Sequence, residues 1–148
     1  MPQIFLSYAK EDSFEASLLQ EALESRLQGL NVRVWGFERD QARDERGVYT
    51  SLRHRVRESA ALVILVSQFT LEMGILQWTE LIYAEAFDVP IFILLHHVDF
   101  EKVRNAPRGV PPLVLTSQCT PACDWRLLDN DLRRCCINWQ GGAGRETE

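Results

Sequence analysis

Glu80 stands in a stretch, Leu76 to Phe87, whose apolar residues recur at helical spacing. At about 100° per residue it falls between an apolar arc of Leu76, Tyr83 and Phe87 and a polar sector of Gln77 and Asp88. A carboxylate on such a boundary loses part of its hydration, which raises its pKa, while one oxygen stays open to a ligand. The geometry alone also fits an edge glutamate paired with an arginine. The other reactive side chains offer less. Cys119, Cys123, Cys135 and Cys136 sit late, and neither they nor His54, His96 and His97 follow zinc-ligand spacing. No metal site is predicted, and the cysteines are expected as free thiols of a cytoplasmic protein.

A sheet has to position such a carboxylate. Gln3 to Ser7, Asn31 to Trp35, Ala61 to Val66, Val89 to His96 and Leu113 to Thr116 are apolar, β-prone runs. Between them lie helical patterns. In the first, Phe14, Leu18, Leu19, Ala22, Leu23 and Leu27 form one stripe, Asp12 or Ser13 supplies the cap, and Gly29 marks the end. Tyr49, Leu52 and Val56 mark a second; a long helix after a turn at Ser67 and Gln68 carries Glu80. A last helix from Asp124 turns Trp125, Leu127, Leu128, Leu132 and Cys135 or Cys136 inward.

Alternating strands and helices predict an α/β fold. The expectation is a flavodoxin-like three-layer sandwich, its five-stranded parallel sheet in order 2-1-3-4-5. A ligand site then belongs at the carboxyl ends of strands one and three, beside Ser7-Tyr8, Trp35-Gly36 and Ser67-Gln68. The 148 residues suit one domain, residues 1–139, with 140–148 as a flexible Gly-rich tail.

Composition and motifs exclude several users of such a sheet. The net charge of -5 argues against nucleic acid or an anionic membrane, which need surplus Lys and Arg. There is no secretion-signal pattern and no apolar run of roughly 20 residues to span a bilayer. The loop after strand one, SYAKEDS, lacks the glycines of a dinucleotide fold, and no GxxxxGK[ST] occurs. A phosphoacceptor sheet would need Asp where strand three ends, and Ser67 stands there.

IFLSYAKEDSFEASLLQEALE, RESAALVILVSQFTLE and WTELIYAEA, in that order and spacing, resemble the Toll/interleukin receptor (TIR) domain family over residues 2–139. The resemblance implies a stand-alone cytoplasmic TIR protein of immune, antiphage or stress signalling that consumes NAD+ as a substrate, with no resident cofactor. Glu80 then corresponds to the single catalytic glutamate on the helix after strand three. One carboxylate suffices: nicotinamide leaves a cationic pyridinium as a neutral base, so no acid need protonate it, unlike the leaving oxygen of a glycoside.

The implied substrate contacts are Tyr8, Lys10, Trp35, Phe37, Arg39, Ser67 and Trp78. Trp78 departs from the family pattern, in which the Trp precedes the Glu by one helical turn. The loop 37–47, with Arg43, Asp44, Glu45, Arg46 and Gly47, corresponds to the segment through which TIR domains self-associate, and Arg53, Arg55 and Arg57 extend its basic character. Implied partners are NAD+, further copies of the chain and a downstream effector sensing the product. The alternative is a non-catalytic TIR–TIR adaptor. A deoxyribosyltransferase, which also attacks an N-glycosidic bond with a Glu, is a third reading.

Overall fold

The computed structural model describes residues 1–36 and 48–141. Its elements are β1 (Gln3–Ser7), α1 (Ser13–Arg26), β2 (Arg33–Gly36), α2 (Val48–Arg57), β3 (Ala61–Val66), α3 (Gln68–Met73), α4 (Ile75–Ala86), β4 (Ile91–Leu95), α5 (Phe100–Arg104), α6 (Pro112–Thr116), β5 (Cys119–Pro121) and α7 (Asp129–Ile137). Every strand pairing is parallel and the order is β2-β1-β3-β4-β5, the expected topology.

Because successive strand residues point to opposite faces, the core divides in two. Ile4, Leu6, Val34, Val63 and Leu65 meet α1 and α7 on face one, through Leu19, Leu23, Leu132 and Cys136, with Leu27 just past the end of α1. Phe5, Trp35, Leu62, Ile64 and Val66 meet α2 and α4 on face two, through Leu52, Val56, Leu81 and Ala84. All six residues of β3 are buried, as an apolar central strand covered on both sides requires.

Several expected details differ. Phe14 and Leu18 are 71% and 54% exposed; the inward line of α1 is Ala16, Leu19, Gln20 and Leu23. Gln20 takes the seam because edge strand β2 needs a donor there: its Nε2 donates to the Val34 carbonyl at 2.7 Å. A Cβ on the neighbouring Gly36 would lie 2.8 Å from that nitrogen, so glycine makes room for the bond. Helix α1 stops at Arg26, and the left-handed residue that turns the chain toward β2 is Asn31 (φ 53°) instead of Gly29.

The apolar run 113–116 lies within helix α6, with Pro112 in its first turn. The fifth strand is Cys119–Pro121, which pairs with Ile93 to Leu95. A four-residue apolar run has no periodicity by which strand and helix separate. At the C-terminus a 3₁₀ segment, Ala122–Leu128, precedes α7 and leaves Leu127 exposed. The expected single helix after β3 is two, broken at Gly74, where a Cβ would lie 2.3 Å from the Thr70 carbonyl oxygen.

Candidate active site

Ser7 ends β1 on face two, and α4 lies over that face. The Ser7 hydroxyl donates to Glu80 Oε1 at 2.7 Å. Glu80 is only 4% exposed, so it occupies no boundary. The helix is turned further inward than its apolar residues alone imply, with Gln77, Glu80, Leu81 and Ala84 as its buried line and Leu76 at the surface. Polar demand at the end of β3 explains the rotation. Gln77 Nε2 donates at 2.9 Å to the Leu65 carbonyl, which also accepts from the Thr70 hydroxyl at 3.3 Å, so side chains complete the backbone bonding where the strand ends. Gln77 Oε1 is buried without a hydrogen-bond partner among the described residues.

Burial pushes the Glu80 carboxyl from the usual 4.5 up to about 8, against the Ser7 hydrogen bond, which lowers it. At neutral pH the resting carboxyl is therefore mostly protonated. It becomes a carboxylate when the pH rises or when a cation approaches.

The strand-three end is equally organised. Ser67 caps α3: its Oγ accepts from the Thr70 N–H at 3.4 Å, while its own N–H donates to Thr70 Oγ1 at 3.1 Å. The Ser67 hydroxyl in turn donates to Asp12 Oδ2, so Asp12 receives a bond across the sheet end and caps nothing with its side chain.

Ser7 with Glu80 and Ser67 with Asp12 thus form two separate hydrogen-bonded pairs at the carboxyl ends of β1 and β3. Trp35 lies on the same face as Glu80, buried, stacked on Phe5 at 4.9 Å and covered by the Arg55 guanidinium at 5.7 Å from its ring. Trp78, half-buried, packs into the face-two core. Tyr8 packs against face one, across the sheet from Glu80, and Lys10 is exposed in the 3₁₀ turn Lys10–Asp12. Arg53 lies over Phe87 at 5.4 Å, so two of the α2 arginines rest on aromatic rings. Phe37, Arg39, Arg43, Asp44, Glu45, Arg46 and Gly47 lie outside the described residues.

The sequence placed Ser7 beside the expected site but gave no sign that it holds Glu80. Asp12 was visible only as a cap. Neither pairing has a sequence signal, because 73 and 55 residues separate the partners. A cavity of about 670 Å³ opens at the ends of β4 and β5 on the α1 side, lined by Glu15, Leu18, Leu95, His96, His97 and Trp125 among others. A second, about 510 Å³, lies between α3 and α5. Glu80 lines neither.

No family model matches the chain, and no curated protein matches it in sequence. Among solved structures it is similar to a metazoan TIR-STING receptor from C. gigas in complex with 2',3'-cGAMP, with a TM-score of 0.60, 15% identity, and cover of 90% of this chain and 38% of that one. It is also similar to the TIR domains of the activated Roq1 resistosome directly recognizing the pathogen effector XopQ, at 0.56 and 16%, covering 93% of this chain and 85% of that one. The chain spans well under half of the TIR-STING chain. What is shared at these identities is the fold, and the fold is that of TIR domains.

Proposed function

We propose that the chain cleaves NAD+ at the nicotinamide–ribose bond, with Glu80 as the catalytic carboxylate. The supporting observation is the buried Ser7–Glu80 pair at the carboxyl end of the sheet. As the C1'–N bond breaks, its electron pair leaves with neutral nicotinamide and positive charge builds on the ribose. A carboxylate in a low-dielectric site opposes that charge strongly. The Glu80 proton has to pass to solvent first, and the cationic nicotinamide ring itself favours its departure. The Ser7 hydroxyl bonds the carboxylate and keeps it oriented. Water then adds at C1', releasing a proton and giving ADP-ribose; attack by an internal hydroxyl or an adenine nitrogen gives a cyclic isomer.

Access to so buried a carboxyl requires a change on the α4 side, and self-assembly through the loop 37–47 supplies one in this reading. The solved relatives support it only as TIR folds, one of them described in an activated resistosome. The product serves immune or stress signalling through a downstream effector. A second reading, a non-catalytic TIR–TIR module, is favoured by one observation: Glu80 satisfied by Ser7 behaves as a structural pair, while Phe69, Met73, Ile75 and Ile82 present apolar surface on α3 and α4.

Incubation of the purified protein with NAD+, with and without a crowding agent, tests the choice by release of nicotinamide. Turnover lost in Glu80→Gln and Glu80→Ala supports catalysis. No turnover under any assembled condition, or full turnover in both variants, overturns it in favour of the adaptor.

A further inference from the structure

We propose that Asp12, Glu15 and His96 bind a divalent transition-type cation, zinc being the best match, beside the cavity at the ends of β4 and β5. One potential ligand atom of each lies within 4.8 Å of the other two. Zinc bonds of about 2.0–2.2 Å to imidazole and carboxylate place tetrahedral neighbours about 3.4 Å apart. His96 Nε2 and Glu15 Oε2 already stand 3.2 Å apart, so a cation can replace their direct contact with little movement of either. Asp12 closes the remaining gap by a side-chain adjustment.

Asp12 is 2% exposed, and its described hydrogen bond is the one that its Oδ2 accepts from Ser67. A carboxylate that accepts one hydrogen bond keeps lone pairs for a ligand, and Ser67 orients the group as outer-shell donors orient metal-binding carboxylates. Glu15 is in the first turn of α1, Asp12 immediately precedes that helix and His96 immediately follows β4, so the helix start and the strand end bring them together. Two acidic side chains converge there beside one imidazole, and a dication balances them. The imidazole selects zinc-like ions over magnesium or calcium, which prefer all-oxygen sites.

Glu15 and His96 line the 670 Å³ cavity, which leaves space for water or an exogenous ligand to complete the coordination. His97 adopts a left-handed backbone (φ 58°) and its ring centroid lies 4.1 Å from that of His96, so the turn after β4 brings a second imidazole to the same cavity. The ligand spacing is invisible in the sequence, since 81 residues separate Glu15 from His96.

The test is zinc titration of the chelator-stripped full chain by calorimetry, with metal content measured after desalting. One zinc per chain is expected, weakened at least about tenfold by Glu15→Gln, by His96→Gln and by Asp12→Asn. Glu80→Gln retains the zinc, which separates this site from the proposed NAD+ chemistry. Glu15 is half-exposed, so Glu15→Gln remains decisive even where Asp12→Asn unfolds. Cobalt substitution should give a spectrum without a thiolate charge-transfer band. The proposal is overturned when no zinc is retained, when the three variants bind it as the parent does, or when alkylating the cysteines removes it.

Discussion

Replacing Glu80 by Gln should stabilise the fold increasingly as the pH rises, while removing the proposed activity. The folded carboxyl titrates near 8 and the unfolded one near 4.5. Between those values the folded state binds more protons than the unfolded state, so raising the pH favours unfolding. The contribution of a neutral Glu80 is complete below pH 4.5 and is lost progressively up to about pH 8. At about 1.4 kcal/mol per pKa unit, the difference of roughly 3.5 amounts to about 5 kcal/mol above pH 8 and about 3 kcal/mol at pH 7. Glutamine keeps the shape and an acceptor for the Ser7 hydroxyl but does not titrate. Its buried amide carries a constant cost, which cancels when the two proteins are compared across pH. Denaturant unfolding of wild type and variant at several pH values from 5 to 9 measures the difference directly. The stability of Glu80→Gln relative to wild type should climb by several kcal/mol between pH 5 and pH 8 and then level off. A difference that stays constant within about 0.5 kcal/mol across that range would refute the buried, proton-holding Glu80.

Ser7→Ala removes the one interaction that lowers the Glu80 pKa, so the titration should move upward. If the proposed activity is present, its kcat/KM, which reports the free enzyme, should rise at higher pH in Ser7→Ala than in the parent, whose expected midpoint is the Glu80 value of about 8. Gly74→Ala drives a Cβ into the Thr70 carbonyl and should destabilise by about 1–3 kcal/mol, read as a lower denaturant midpoint with an unchanged slope. Burial raises the Cys136 thiol to about 11, whereas Cys123 is exposed. A maleimide reagent followed by peptide mass mapping should therefore label Cys123 first and Cys136 last. Labelling of Cys136 first would contradict its place against the face-one core.

The sheet order, the doubly buried β3 and the location of Glu80 after it were legible because strand–helix alternation and long apolar runs are local patterns that survive folding. Glu80's depth was not. Its helix has apolar and polar sectors that suggest a boundary, yet Gln77 turns inward to donate to the Leu65 carbonyl at the end of β3, beside the Thr70 hydroxyl, and Glu80 follows one turn later. The same competition misplaced Phe14 and Leu18, since Gln20 is needed at the β2 edge. Residues 113–116 read as a strand because four apolar residues carry no period. The pairs Ser7–Glu80, Ser67–Asp12 and Glu15–His96 join strand ends to helices that arrive from far along the chain. Local patterning determines which segments become strands and helices. Only the closure of the sheet decides which polar groups are cut off from water together, and it is that shared desolvation which sets the protonation of Glu80.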